Sequence, residues 1–383
     1  MDPNALDSNL YVVDTHFGDE ENLERDRRAE KLKEFLDLYS LRVNEVILGG
    51  DTTREKWKHV WEGKNEKEIT KMGEKYAKPQ LQNFFNQIFA EHEGKITSFV
   101  GNHELDVVSN PTEETARESV SNAEKDLEDF LKNNVFKDKE FDISVLSGAQ
   151  QVEEGVIVEH GNYADIAGLI RSIFKDFDPN MSTEEKLQLL NDHPEINTSM
   201  QTQWNKWRKM LWPMLREYPE ESEAIFSFLS MLNEFKSAFN RVKKITENLN
   251  GSHSDHALLQ TELLQALAGE DKYVMVSGHR HLKSTNHKKN VLSISLGEWE
   301  GESIPTTALH IPPKTENDKD RWIILEFAEE QDAWVPLKEY TFDKEKNEWE
   351  EQFGTELRPL TELSEEEWEK EYSHIQHEEN WEQ

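Results

Sequence analysis

The sequence predicts an α/β protein, and three observations carry that expectation. Short apolar runs alternate with longer amphipathic stretches over most of the chain, the pattern of strands separated by helices. Five of those runs stop abruptly at Gly, Asp, Asn or His rather than continuing at helical spacing. Hydrophobic residues make up 35% of the 383 positions and charged residues 32%, polar for a globular chain but sufficient for a core. That length accommodates one large domain with an insertion, or two domains.

In chain order, residues 10–13 (LYVV) read as the first strand, and the stretch 23–39 follows with Leu32, Phe35, Leu36 and Tyr39 on one helical face. The segment 44–50 (NEVILGG) is a second strand. Leu81, Phe84, Phe85, Ile88 and Phe89 make 79–93 a helix. Residues 95–101 (KITSFVG), 155–161 (GVIVEHG) and 272–278 (KYVMVSG) are the third, fourth and fifth strands, and NVLSIS, RWIILEFA and WVPLKEYTF are strand-like beyond them.

From about 163 to 265 the pattern becomes long, strand-free helical sequence, which predicts a helical cap inserted into the α/β body. Trp204, Trp207, Met210, Trp212 and Met214 in this stretch either line an apolar chamber or form the cap's own core. Beyond about 343 the chain is rich in Glu and Trp and reads as a solvated extension. The predicted division is therefore 1–162 and 266–342 for the two parts of the core, 163–265 for the cap and 343–383 for the acidic extension.

The formal charge of −34 argues against wrapping nucleic acid, since phosphate contacts require a basic footprint. There is no cysteine, so any metal must be held by oxygen and imidazole nitrogen. The opening residues lack a basic segment followed by an apolar one, and no apolar stretch has the length to span a bilayer. A soluble cytoplasmic protein is expected.

The strand ends carry the chemistry. Asp14 and His16 follow the first, Gly49-Gly50-Asp51 the second, and Gly101-Asn102-His103-Glu104 the third. Glu159-His160-Gly161 ends the fourth and Gly278-His279-Arg280-His281 the fifth. Residues two apart in extended chain point the same way, so His279 and His281 reach one common point, as do Asp14 and His16. Open α/β sheets place their sites at the carboxyl ends of strands, so these groups should converge on a metal centre.

These five blocks, in this order, resemble the calcineurin-like metallophosphoesterase superfamily, whose signature is D-x-H, G-D, G-N-H-[DE], H and G-H-x-H. The resemblance runs from residue 11 to about residue 300 outside the cap. Within the superfamily, DTHFGDE, HGNYAD and SLGEWEGESIPTTALHI look like the branch of the UDP-2,3-diacylglucosamine pyrophosphatases. The resemblance implies a four-layer α/β/β/α sandwich with two divalent ions. One would take Asp14, His16 and His281, the other Asn102, His160 and His279, with Asp51 bridging. Manganese is the expected metal, with Fe, Zn, Co or Ni as alternatives. It further implies a phosphomonoesterase, phosphodiesterase or pyrophosphatase in which water activated by the ions attacks phosphorus directly. His103 resembles the non-ligand catalytic histidine.

One block departs from the family pattern. Its G-D-x-x-[DE] acid is replaced by Arg54, and Glu55 follows, so Glu55 is the expected residue for orienting His103. The implied substrate is a phosphorylated small molecule or lipid-linked phosphate, with a nucleotide or cyclic-nucleotide phosphodiester equally compatible. A non-catalytic scaffold that keeps the fold is the rival class. The sequence does not indicate an oligomeric state.

Overall fold

The computed structural model describes residues 6–18, 23–53, 75, 77–89, 93–101, 104, 113–137, 139, 141–160, 181–192, 255–279, 283–299, 304–315 and 318–353. They form a mixed α/β protein with two sheets. The elements in order are β1 (Leu6–Val12), α1 (Leu23–Leu38), β2 (Leu41–Leu48), α2 (Lys78–Phe89), β3 (Lys95–Phe99), α3 (Glu113–Asp129) and a π-helical segment (Phe130–Val135). There follow β4 (Asp142–Leu146), β5 (Gln150–Glu153), β6 (Val156–Val158), α4 (Thr183–Asn191), α5 (Asp255–Ala268), β7 (Tyr273–Ser277), β8 (Ser284–Lys288) and β9 (Val291–Ser295). The last strands are β10 (Thr306–Ile311), β11 (Arg321–Ala328), β12 (Ala333–Asp343) and β13 (Glu348–Phe353).

The larger sheet has the order β13-β12-β11-β10-β1-β2-β3-β4 and the smaller β5-β6-β7-β9-β8. Parallel pairing joins β1 to β2, β2 to β3 and β3 to β4. In the smaller sheet, β6, β7 and β9 are parallel. In these parallel stretches β3, β6, β7 and β9 are buried on both faces, which is why they read as continuous apolar runs.

Alternation within each strand distributes side chains between three cores. Leu10 and Val12 of β1 point to one face, where they meet Leu32, Phe35 and Leu36 of α1 and Leu81, Phe84 and Phe85 of α2. Tyr11 and Val13 point the other way, toward Val156, Val158, Val274 and Val276 of the smaller sheet. Met275 and Ile157 leave that interface for a third cluster, with Leu187 and Leu190 of α4 and Leu263, Leu264 and Leu267 of α5.

Within 163–265, the range expected to be a cap, the described segments α4 and the start of α5 pack on the outer face of the smaller sheet. Their apolar faces find the sheet surface exposed by Ile157, Met275 and Val291. The Ser182 capping box starts α4, and its Thr183 side chain donates to Leu267 O at 3.0 Å. The five tryptophans and methionines named above lie outside the described residues. In the range from 343, expected to be a solvated extension, residues 348–353 form the edge strand β13. Trp349 is buried between the sheets, and its Nε1–H donates to Asn290 O at 3.2 Å. Three glutamates hid a strand anchored by the Trp349 side chain.

Candidate metal centre

The site begins where β1 and β2 end, because their pairing continues into the following loops. Gly49 N–H donates to Val12 O, Asp14 N–H to Gly50 O, His16 N–H to Asp51 O and Phe17 N–H to Thr52 O, at 2.8, 3.2, 2.9 and 2.9 Å. Two ligand-bearing loops are thus laced together by backbone hydrogen bonds. The backbone is unusual there: Asp14, His16, Asp51 and His279 all have φ between 46° and 70°. Non-glycine residues rarely occupy that left-handed region, and such strain concentrates at functional sites.

Asp14, His16 and Asp51 each bring one ligand atom within 4.8 Å of the others, and all three side chains are buried. The smaller sheet supplies the facing groups. His160, after β6, sits with Nε2 3.3 Å from Asp51 Oδ2. Its Nδ1 is 3.0 Å from Gly49 O, so an Nδ1–H donated there leaves Nε2 directed at the carboxylates. Metal-ligating histidines characteristically engage their second nitrogen in this way. His279, after β7, lies beside His160 with ring centroids 5.1 Å apart, and its backbone N–H donates to Asp14 Oδ2 at 2.7 Å. Gly50, at φ 95°, is required for the close approach, because a Cβ there would collide with the His160 imidazole.

The electrostatics favour a cation. Burial alone would lower the His160 pKa, but the charges of Asp51 and Asp14 and the hydrogen bonds to Asp51 and Gly49 raise it to about 10. The proton on His160 thus offsets charge that a metal would otherwise balance. Glu104, fully buried, is pushed up to about 8 by burial and by the Asp51 carboxylate. Two buried carboxylates and three imidazoles at strand ends form a mixed oxygen and nitrogen set suited to a borderline divalent ion.

Of the expected site residues, the structure brings together Asp14, His16, Asp51, His160 and His279. Asn102, His103, Glu55, Arg54 and His281 lie outside the described residues. Sequence reading assigned no role to Glu104, whose partners come from three separate backbone positions. It also did not identify Trp299, whose backbone N–H donates to Asp14 O at 3.2 Å while its own carbonyl accepts from Arg28 Nη1 at 2.9 Å. These contacts are made across 285 and 271 positions, and no local pattern announces them.

Fold and site together define a mixed α/β protein with a buried carboxylate and imidazole cluster able to hold a metal ion. No family model matches the chain, and no curated protein matches it. Among solved structures, a single mutant of Vps29 from Entamoeba histolytica aligns with 88% of this chain and 99% of that one, at 8% identity and TM-score 0.31. Phosphopantetheinyl hydrolase from Mycobacterium tuberculosis aligns with 78% of this chain and 95% of that one, at 12% identity and TM-score 0.27. A conserved protein from Streptococcus pneumoniae TIGR4, described as a predicted phosphoesterase, covers 83% and 88% at 10% identity and TM-score 0.24. Similarity at this level decides neither fold nor activity, and the chemistry rests on the site's own geometry.

Proposed function

We propose that the chain is a metal-dependent phosphoesterase that hydrolyses a phosphomonoester, phosphodiester or pyrophosphate by direct attack of water. The observation that carries this reading is the meeting of Asp14, His16 and Asp51 from one sheet with His160 and His279 from the other. The proposed architecture is the four-layer α/β/β/α sandwich, with the remainder of 163–265 as a cap over the site and a cytoplasmic location.

In this reading Asp14, His16 and His281 would hold one divalent ion and Asn102, His160 and His279 a second, with Asp51 serving both and manganese the first candidate. Such a pair supplies charge neutralisation for the phosphoryl oxygens and lowers the pKa of a water. The chain's own residues do the rest. His160 is held by the Gly49 carbonyl in the orientation that presents Nε2. Asp51 is held by its laced loop. His103 protonates the leaving oxygen or stabilises the phosphoryl oxygens, and Glu55 orients it. The substrate is a phosphorylated small molecule or a lipid-linked phosphate.

The test is turnover of a panel in Mn²⁺: p-nitrophenyl mono- and diesters, nucleotides, cyclic nucleotides and a lipid pyrophosphate. Hydrolysis of at least one class is expected, with His103→Ala lowering its rate by roughly 10²- to 10⁴-fold and Glu55→Gln lowering it more than a surface substitution does. Binding without turnover across the whole panel would instead identify a scaffold.

A further inference from the structure

Glu104, a fully buried acid just beyond β3, belongs to none of the ligand positions. Its two oxygens reach backbone instead. Oε2 accepts from Gly101 N–H at 2.8 Å and from Asp51 N–H at 3.2 Å, and Oε1 accepts from Thr53 N–H at 3.0 Å. One side chain thereby ties the loop after β3 to the loop after β2 on both sides of Asp51. The same β2 loop receives the His16 and Phe17 N–H groups through Asp51 O and Thr52 O. Two ligand-bearing residues, His16 and Asp51, therefore depend on a segment that Glu104 fixes.

We infer that Glu104 is a positioning residue for the metal centre, setting the placement of the Asp51 carboxylate by clasping the peptide N–H groups of Gly101, Asp51 and Thr53. This rests on the metal-centre reading given above. The geometry explains why an acid is needed. Ionised or protonated, the acid keeps acceptor lone pairs on both oxygens, since a carboxyl O–H can turn away, whereas a glutamine must turn its NH₂, which has none, toward at least one of the three N–H donors. That contact becomes donor against donor. Asp51 sits at φ 47°, outside the preferred backbone regions, and needs such external restraint to stay there. An aspartate keeps both acceptors but is one methylene shorter, and it cannot span Gly101 and Thr53 together.

The experiment compares the full chain with Glu104→Gln and Glu104→Asp, reading Mn²⁺ affinity by calorimetry and backbone amide exchange by mass spectrometry after treatment with chelator. Positioning of this kind is worth roughly 10- to 100-fold in metal affinity. Glu104→Gln is expected to lose that much, with faster exchange in peptides covering 50–53 and unchanged protection in β7 and β9. Glu104→Asp is expected to fall between the two and supplies the same readouts if the glutamine variant does not fold. Affinity within threefold of the parent in either folded variant overturns the inference while leaving the metal centre standing. So does an affinity loss accompanied by faster exchange throughout the smaller sheet, which marks general loosening. Failure of the parent chain to bind Mn²⁺ overturns the metal centre, and this role for Glu104 with it.

Discussion

At the scale of single residues, the candidate ligands were readable because each sits in a short local block directly after an apolar run. Their supports were not, since Glu104, Gly49 O and Trp299 act through contacts made only in the fold. One consequence concerns protons. His160 is raised from about 6.5 to about 10 in the metal-free cluster, so below that pH an entering ion must displace its proton. Mn²⁺ affinity should therefore rise with pH between 6 and 9, with close to one proton released per chain. Calorimetry in buffers of different ionisation enthalpy reads that proton directly. Affinity independent of pH across this range would contradict the account of His160.

At the scale of elements, the strands and helices found by periodicity are those with an uninterrupted apolar face, as in β2, β7, α1 and α2. Those missed either carry charge on their visible positions or are short. β8 (STNHK) has no large apolar residue, and its order comes from pairing with β9. β13 (EWEEQF) reads as acidic tail because only Trp349 and its alternation mark a strand. In the fold Trp349 packs on Phe342 with ring centroids 5.1 Å apart, and its backbone N–H donates to Lys289 O at 2.9 Å, which joins the two sheets. Trp349→Ala should destabilise the protein by about 3–5 kcal/mol through the cavity it leaves. Chemical denaturation measures this, and a change below about 1 kcal/mol would show that β13 is not part of the core.

At the scale of the whole molecule, the site is divided between two sheets, so their relative placement decides whether its halves meet. Tyr11, Trp322 and Tyr340 fill the interface with apolar surface, and a chain of charges crosses it at the end remote from the ligands. His310 of β10 contacts Glu153 of β5 at 2.7 Å through Nδ1 and Asp320 at 2.6 Å through Nε2, while Lys272 pairs with Asp320. The His310 ring stacks on Trp322, with centroids 4.5 Å apart. In the sequence His310 has no partner at any informative spacing, because Glu153 lies 157 positions away.

Burial would lower the His310 pKa, but hydrogen bonds to Asp320 and Glu153, and their charges, raise it to about 9. Its contribution to stability is therefore complete below about pH 6.5 and is lost as pH rises through about 9. Burial would raise both carboxylates, but His310, joined by Tyr11 and Asn9 at Glu153 and by Lys272 at Asp320, holds them below their ordinary values. Their contribution is lost on the acid side, as pH falls through those lowered values. Melting temperature in EDTA should fall from pH 6.5 to 9.5, and His310→Gln should flatten that fall. His160 contributes a slope of the same sign that the variant keeps. Equal slopes for the two proteins would remove His310 from the account.

The central claim is that side chains from both sheets enclose a pair of divalent ions, and anomalous scattering from a Mn²⁺-soaked crystal tests it most directly. Two peaks roughly 4 Å apart are expected between Asp14, His16 and Asp51 on one side and His160 and His279 on the other, both lost in Asp51→Asn. A fully soaked crystal with no peak among these five residues would contradict it.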